Sequence, residues 1–270
     1  MNNENAPSVV ALDDRDTWPR DVCELLEREF ELLRSYEIER LIDNRGKTDI
    51  VARVRPPTNP HRAEQQRVLR DLNRLAGNVR LIGYHCTRLA DDEIENIWNV
   101  GLRPLSLDLI HERVERRLAA ACFSEAVAQR LLRTNEADEE GRRHRIAFIF
   151  TRNPLRDEDG VGRLLAYWGG EALYRCHEDD DEIAPILQAI GTPCIVEVAL
   201  PVRSVHLAPI GELIMRLYLH HRGVPIDHDP DVEGSVTTPV GAGAIRRLLQ
   251  RSDPDFGRLT HCQEWTVYRL

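Results

Sequence analysis

The stretch LIGYHCTRL, residues 81–89, decides the core of this fold. It is mostly apolar, and the run 79–86 predicts a strand. Side chains alternate between the two faces of a strand, so Gly83, His85 and Thr87 share one face. A glycine beside a histidine leaves room there for a ligand. His85 is therefore either a ligand-contacting residue or a core histidine satisfied by backbone groups, and Thr87 can equally cap the next helix.

Two later segments accompany this strand. Acidic residues at 91–93 favour the start of a helix that is predicted to run to Val100, and Gly101 ends it before Leu102. The last segment, QEWTVY at residues 263–268, predicts a closing strand with Glu264 near its start. A glutamate at the start of a strand is often merely exposed, but the run that follows Glu264 favours a functional interpretation.

The remaining elements alternate irregularly, which predicts an α+β fold rather than a regular parallel sheet. The predicted elements are a loose tail at 1–16, a helix at 18–42, a short strand at 50–54, a helix at 59–76, a helical region at 107–133 broken near Cys122, a charged loop at 135–145, a strand at 146–150, a helix at 160–170, a strand at 193–200, a helix at 211–221, a loop at 223–239 and a helix at 243–251. We expect residues 1–78 to form a helical extension or lobe, and 79–270 to form one catalytic module.

Composition limits the function classes. The net charge of −9 argues against a protein whose main task is to hold a nucleic-acid backbone, although arginine clusters at 113–117 and 142–145 offset this locally. Six cysteines without a C-x-x-C pair indicate reduced thiols. The N-terminus lacks the features of a signal peptide, and no apolar run is long enough to span a bilayer. We expect a cytoplasmic, bacterial protein that takes no membrane partner and no metal ion.

Taken together, these pieces resemble the ADP-ribosyltransferase superfamily, in its branch with a His, a Tyr and a Glu. In that branch a strand carries a Tyr-His-x-Thr-like sequence, a short helix leads to a Gly-Leu turn, and much later a Glu opens a strand. Residues 84–87, 101–102 and 264–268 match in the same order. The resemblance implies a split, mostly antiparallel sheet with flanking helices. It also implies NAD as co-substrate and transfer of ADP-ribose from NAD to a macromolecular acceptor, with release of nicotinamide.

The resemblance also implies roles for single residues. Breaking the nicotinamide–ribose bond develops positive charge on the sugar, which a carboxylate can stabilise. Glu264 takes that role, His85 fixes the ribose and Tyr167 stacks on nicotinamide, with Tyr174 as the alternative to Tyr167. The expected NAD-binding residues are Tyr84, His85, Thr87, Gly101, Leu102, Ser124, Arg163, Tyr167 and Tyr174. Each has a structural alternative: Tyr167 as a core aromatic, Ser124 as a helix cap and Arg163 as a solvated surface group.

Several functions stay open at this point. Cys262 stands where arginine-modifying relatives carry a second Gln or Glu, which counts against arginine as the acceptor; protein and nucleic acid both remain. NAD hydrolysis and RNA 2′-phosphotransfer use the same fold, the latter normally with several arginines and a histidine around the phosphate. A catalytically inactive module that senses NAD, ADP-ribose or nucleic acid is a further alternative. By analogy alone, the chain fits a toxin or phage-defence effector with a neutralising partner.

Overall fold

The structure is a computed structural model that describes residues 7–45, 59–228, 230–268 and 270. The predicted strand at 50–54 and the first six residues of the predicted tail lie outside the described residues. Helices and strands follow one another irregularly, and the α+β fold is confirmed.

In chain order the strands are β1 (Val9–Val10), β2 (Arg80–Leu89), β3 (Gly101–Leu102), β4 (Ile146–Ile149), β5 (Thr192–Pro201), β6 (Glu233–Val236), β7 (Val240–Gly241) and β8 (Ile245–Gln250). The helices are α1 (Arg20–Arg28), α2 (Phe30–Arg45), α3 (Arg62–Leu75), α4 (Asp91–Asn99), α5 (Leu107–Ala119), α6 (Glu125–Arg133), α7 (Arg163–Ala166), α8 (Glu171–His177), α9 (Ile183–Ala189), α10 (Ile210–His221) and α11 (Pro254–Thr260). The predicted helical region at 107–133 is indeed broken near Cys122, and the predicted helix at 18–42 is divided at Glu29.

Two compact units share the chain. The first consists of Met1–Leu81 and Pro201–Val232, and the second of Ile82–Leu200 and Glu233–Leu270. The sequence placed one boundary after residue 78 and treated everything beyond it as one module. The structure differs in that the segment 201–232 belongs to the first unit.

Helix packing explains this difference. In the first unit α10 lies directly against α3: the backbone N of Gly211 donates to Oδ1 of Asn73 at 2.9 Å. A Cβ on Gly211 would stand only 2.8 Å from the carbonyl oxygen of Leu69, so the two helices approach more closely than any larger residue allows. The apolar side of α10 is thereby buried against the N-terminal helices.

The second unit is built on strands in the order β6-β4-β2-β5-β8. Strand β2 pairs antiparallel with β4, β4 with β6, and β5 with β8. A separate two-stranded sheet joins β3 to β7. In the first unit, β1 runs parallel to the first two residues of β2. The sheet is thus mostly antiparallel, as predicted.

Helices α5, α6, α8 and α9 of the second unit enclose an apolar core around Trp168, which is fully buried. Burial of each such apolar side chain stabilises the fold by roughly 1.5–3 kcal/mol. The predicted helix at 160–170 is shorter than expected: a π-helical turn at Glu158–Gly162 leads into α7, which ends at Ala166. The backbone N of Trp168 donates instead to the carbonyl of Leu187, which takes the chain out of the helix.

The predicted closing strand is wrong. Cys262–Glu264 form a 3-10 turn, and the described residues after it form no strand. The carboxylate of Glu158 accepts hydrogen bonds from the backbone N of Val267 and of Tyr268. A side chain therefore satisfies the donors that a neighbouring strand would otherwise take up.

Two other predictions along the C-terminal part of the chain are also wrong. The predicted helix at 243–251 is a short 3-10 turn followed by β8, and the predicted loop at 223–239 contains β6. Strand β8 pairs with β5 with a register shift between Glu197 and Val198, which leaves Arg246 as an extra residue. This bulge breaks the two-residue alternation, so the sequence did not look like a strand.

Candidate active site

The ring of His85 is fixed by the strand beside it. Its Nδ1 lies 3.0 Å from the carbonyl oxygen of Ala147 on β4, so Nδ1 carries the proton and donates it. Burial lowers the pKa of His85 below its ordinary 6.5, the charge of Arg113 lowers it further, and the hydrogen bond to Ala147 opposes both effects. At neutral pH the ring is therefore neutral, and its Nε2 is a hydrogen-bond acceptor.

Two adjoining cavities of the second unit share His85, Thr87, Leu102, Arg103, Leu109 and Arg113. Their volumes are about 110 and 270 Å³. Gly101 lines the smaller cavity, and Ser235 of β6 lines the larger one. The structure thus brings together four of the predicted NAD-binding residues: His85, Thr87, Gly101 and Leu102. We call these two spaces the His85 cavity.

Gly101 is required by the backbone at this position. Its φ is +100°, and a Cβ would lie 1.9 Å from the carbonyl oxygen of Val240 on β7. A side chain is excluded both by the left-handed conformation and by the close approach of the partner strand. Gly83, in contrast, does not leave room for a ligand as the sequence suggested, because a Cβ there would lie 2.9 Å from the ring of Phe150.

Arg113 is the most firmly positioned cation of the cavity. Its Nε donates to Oε1 of Glu93 at 2.6 Å, and its guanidinium lies over the ring of Trp168 at 4.7 Å. The indole Nε1 of Trp168 donates to the other oxygen of Glu93 at 2.9 Å. The Nη2 of Arg113 is buried and has no hydrogen-bond partner within the described residues. A buried donor without a partner costs free energy, and an acceptor that reached Nη2 would offset that cost.

Glu93 stays ionised within this arrangement. Burial acts to raise its pKa, but the charge of Arg113 and the hydrogen bonds from Arg113, the backbone of Ala90 and Trp168 hold the pKa below its ordinary 4.5. Glu93 is 8% exposed, so its charge is screened only weakly by solvent. Its oxygens are occupied by these donors, and it acts as the support of Arg113.

The larger cavity carries further positive charge. Arg103 pairs with Glu112 at 2.7 Å, and Arg142 pairs with Glu136 at 2.7 Å and with Glu171 at 3.3 Å. Arg145 and Glu171 also line this space. Guanidinium groups around a neutral histidine are suited to oxygen anions such as phosphate, because their planar donors match two oxygens at once.

Glu264 is not brought to the His85 cavity. It lies in the 3-10 turn at the C-terminal end, its side chain is 69% exposed, and its carboxylate stands 3.5 Å from Nδ1 of His261. Among the described residues that line the two spaces of the cavity, the carboxylates are Glu93, Glu112 and Glu171. The predicted pairing of His85 with Glu264 across one crevice is therefore not found.

The aromatic candidates lie in the helical core. Tyr167 is buried, with its ring 5.8 Å from that of Tyr174 and 6.3 Å from that of Tyr268. Arg163 pairs with Glu178 and lies over the ring of Tyr174 at 5.1 Å. The contacts between the tyrosine rings belong to packing of the core, whereas the ion pair of Arg163 is partly exposed. Tyr167, Tyr174 and Arg163 are absent from the described lining of the His85 cavity.

The last two predicted residues have other positions. Ser124 caps α6, with its hydroxyl accepting from the backbone N of Val127 at 3.3 Å. Tyr84 is buried and lines a different cavity, because neighbouring residues of a strand point to opposite faces. Ser124 is therefore a helix cap, as its structural alternative predicted.

Sequence reasoning missed the residues that define the cavity most clearly. Glu93 looked only like a favourable charge at a helix start, and Arg113 only like part of a basic cluster. Ser235 lay in a segment that was assigned to a loop. In the structure Ser235 pairs in register with Ala147, the residue whose carbonyl holds His85. A Glu–Arg pair 20 residues apart on two successive helices gives no local signal in the sequence.

Comparison with known proteins adds no relative: no family model, no curated protein and no solved structure matches this chain. Over the described residues, we find no helix with the length and apolar content that crossing a membrane requires. No cluster of three or more His, Cys, Asp or Glu side chains that would suit a metal ion occurs in the described ranges.

Proposed function

We propose that this chain is a NAD-dependent ADP-ribosyltransferase whose substrate site is the His85 cavity. The observation that carries the proposal is the presence, in one cavity, of a neutral histidine with a free Nε2 and a firmly held arginine with a buried free Nη2. The first is suited to a ribose hydroxyl and the second to a phosphate oxygen. NAD offers both groups on one molecule.

His85 keeps the role that the resemblance implies. Its Nδ1 is committed to Ala147, so the ring is oriented and its tautomer is fixed. The Nε2 then accepts a hydrogen bond from a ribose hydroxyl and holds the sugar in the geometry for bond cleavage. Thr87 lies two residues further along the same face of β2, and its hydroxyl is a second hydrogen-bonding group of the same cavity.

The carboxylate role moves from Glu264 to Glu233. The resemblance requires a Glu that opens a late strand, and Glu233 is the first residue of β6. Glu233 itself is exposed and is not among the described lining residues, but Ser235, two residues later on the same side of β6, does line the cavity. Glu171 is the second candidate, because it lines the larger space directly. Glu93 is excluded from this role, since its two oxygens are already engaged by Arg113, Trp168 and Ala90.

The reaction follows from these assignments. The bond between C1′ of the ribose and the nicotinamide nitrogen breaks, and nicotinamide leaves as a neutral molecule with the electron pair. The carboxylate stabilises the positive charge that remains on the sugar. A nucleophile of the acceptor then bonds to C1′ and gives up its proton to the carboxylate. Water in place of the acceptor gives NAD hydrolysis by the same route.

Free nicotinamide measured after incubation with NAD tests this proposal. We expect release by the wild type, a loss of about 100-fold or more in Glu233→Gln, and little change in Glu264→Gln as the matched control. Retained activity in Glu233→Gln together with loss in Glu171→Gln would move the role to Glu171. Binding of NAD without any release would instead favour the inactive sensing module. Labelled NAD with protein, DNA or RNA added then separates transfer from hydrolysis.

The arginines give independent support to a second candidate, RNA 2′-phosphotransfer with NAD as the phosphate acceptor. That reaction normally needs a histidine and several arginines around a phosphate, and His85 shares its cavity with Arg103, Arg113, Arg142 and Arg145. Incubation of NAD with an RNA oligonucleotide that carries an internal 2′-phosphate distinguishes the two. Loss of the 2′-phosphate only when NAD is present supports the phosphotransferase.

A further inference from the structure

A second cavity of about 300 Å³ opens at Tyr84, the neighbour of His85 on β2. It shares no lining residue with the His85 cavity, and the side chains of Tyr84 and His85 leave β2 on opposite faces. We call it the Tyr84 cavity. Its lining consists of Tyr84, Arg152, Arg156, Arg247, Asp255, Arg258 and Leu259.

Three elements of the second unit bring these arginines together. Arg152 and Arg156 stand at the 3-10 turn that follows β4, Arg247 is on β8, and Arg258 is on α11. Arg247 is anchored by the buried Glu197, with 2.6 Å between its Nη2 and Oε2 of Glu197. Asp255 pairs with both Arg247 and Arg258.

The charge balance of this cavity is opposite to that of the whole chain. Its lining has four arginines and one carboxylate, and the buried Glu197 behind it pairs with both Arg247 and Arg246. The lining residues alone carry about +3, whereas the chain carries −9. Like charges that converge in a concave space repel one another unless an anion joins them, and low-dielectric walls strengthen the field there.

We propose that the Tyr84 cavity binds a phosphoryl group. Arg247 forms the fixed base of the site, because Glu197 and Asp255 hold it from two sides. Arg156 and Arg258 are both exposed, and each can turn its guanidinium group toward the oxygens of the anion, Arg258 by leaving its ion pair with Asp255. Planar guanidinium donors bind phosphate in a two-point geometry, which a set of lysines does not provide. The group comes either from a free nucleotide or from a nucleic-acid backbone.

This site is separate from the proposed NAD site. The proposal of a phosphoryl-binding site therefore does not depend on whether the chain releases nicotinamide. A ligand bound at Tyr84 is not the reacting sugar at His85, because the two side chains lie on opposite faces of β2. A nucleic-acid backbone bound there would be a substrate-docking contact. A free nucleotide bound there would be a second ligand.

Isothermal titration calorimetry of the full chain at low salt tests this proposal, with inorganic pyrophosphate in one arm and a single-stranded DNA oligonucleotide in the other. The double variant R156Q/R258Q is compared with wild type and with Arg133→Gln, an exposed arginine of α6, as the matched control. Because Arg156 and Arg258 are exposed, the variants are expected to keep the wild-type urea midpoint.

We expect the double variant to lose about tenfold or more in affinity for at least one ligand, with Arg133→Gln within about twofold of wild type. The ligand affected identifies the source: pyrophosphate indicates a free nucleotide, and the oligonucleotide alone indicates a nucleic-acid backbone. The proposal is overturned when wild type and double variant bind both ligands equally, when neither ligand binds wild type, or when Arg133→Gln loses as much as the double variant. Nicotinamide release is measured in parallel and reports on the His85 cavity alone.

Discussion

The Nε of Arg113 lies 2.6 Å from Oε1 of Glu93, and both side chains line the same cavity as His85. This pair links α4 to α5 and leaves one donor of the guanidinium directed to no partner of the described chain.

Glu93→Gln removes the negative charge that supports Arg113. Breaking one partner of a buried ion pair leaves an uncompensated charge, and we expect a loss of about 3–5 kcal/mol in the free energy of unfolding. Glu112→Gln is the control, because Glu112 pairs with Arg103 nearer the surface and its side chain is 36% exposed. We expect the control to cost less than about 1 kcal/mol. Urea unfolding measures both, and equal losses would contradict a supporting role for Glu93.

Trp168→Phe keeps an aromatic ring but removes the indole donor to Glu93 and leaves a gap in the core. Hydrogen bonds to charged acceptors contribute about 1.5–3 kcal/mol, so together with the gap we expect a loss of about 2–4 kcal/mol. Trp98→Phe is the matched control, because Trp98 is 46% exposed. Thermal unfolding of the two variants decides the matter: an unchanged midpoint for Trp168→Phe would show that the indole nitrogen contributes nothing.

Gly83→Ala places a Cβ at 2.9 Å from the ring of Phe150 and at 3.4 Å from Cβ of Phe148. Overpacking of a well-filled core costs about 1–3 kcal/mol, and we expect a loss in that range. Gly243→Ala is the control, since a Cβ there has open space around it. The two urea midpoints are compared. A neutral Gly83→Ala would mean that β2 has room for a ligand beside Gly83 after all, as the sequence suggested.

We expect the free energy of unfolding to depend on pH through the lowered pKa of His85. The pKa of His85 is lowered in the folded protein, so between that value and 6.5 the unfolded chain binds more protons than the folded one. Its contribution is therefore fully present above about pH 6.5 and is lost as the pH falls toward the native pKa. We expect the wild type to lose more stability than His85→Gln between pH 7.5 and pH 5.5 in urea unfolding. Equal losses of unfolding free energy in the wild type and in His85→Gln over this pH range would refute the prediction.

Much of the fold could be predicted from the sequence because the central strands are continuous and apolar. Strands β2, β4 and β5 and helix α10 were all predicted within a few residues of their bounds. The failures have physical causes. Ile245, Leu248 and Leu249 recur with helical spacing, yet the bulge at Arg246 lets the same residues lie along a strand. The run after Glu264 has strand-forming residues, but Glu158 takes its backbone donors.

The candidate site was predictable only in part. His85 and Thr87 come from β2, and Gly101 and Leu102 come from β3, the short strand after α4. Short sequence motifs were therefore enough to predict that they lie together. Glu93 and Arg113 meet only because two helices pack side by side, which no local pattern reports. The carboxylate was placed at Glu264 because the run after it has strand-forming residues, whereas the strand that Glu233 opens lies in a segment that was assigned to a loop.

The position of a bound, non-hydrolysable NAD analogue in a crystal structure tests the central claim most directly. We predict density in the His85 cavity, with a ribose hydroxyl at hydrogen-bond distance from Nε2 of His85 and a phosphate oxygen at Nη2 of Arg113. Density for the analogue only in the Tyr84 cavity, or a wild-type chain that takes up none at saturating concentration, would contradict it.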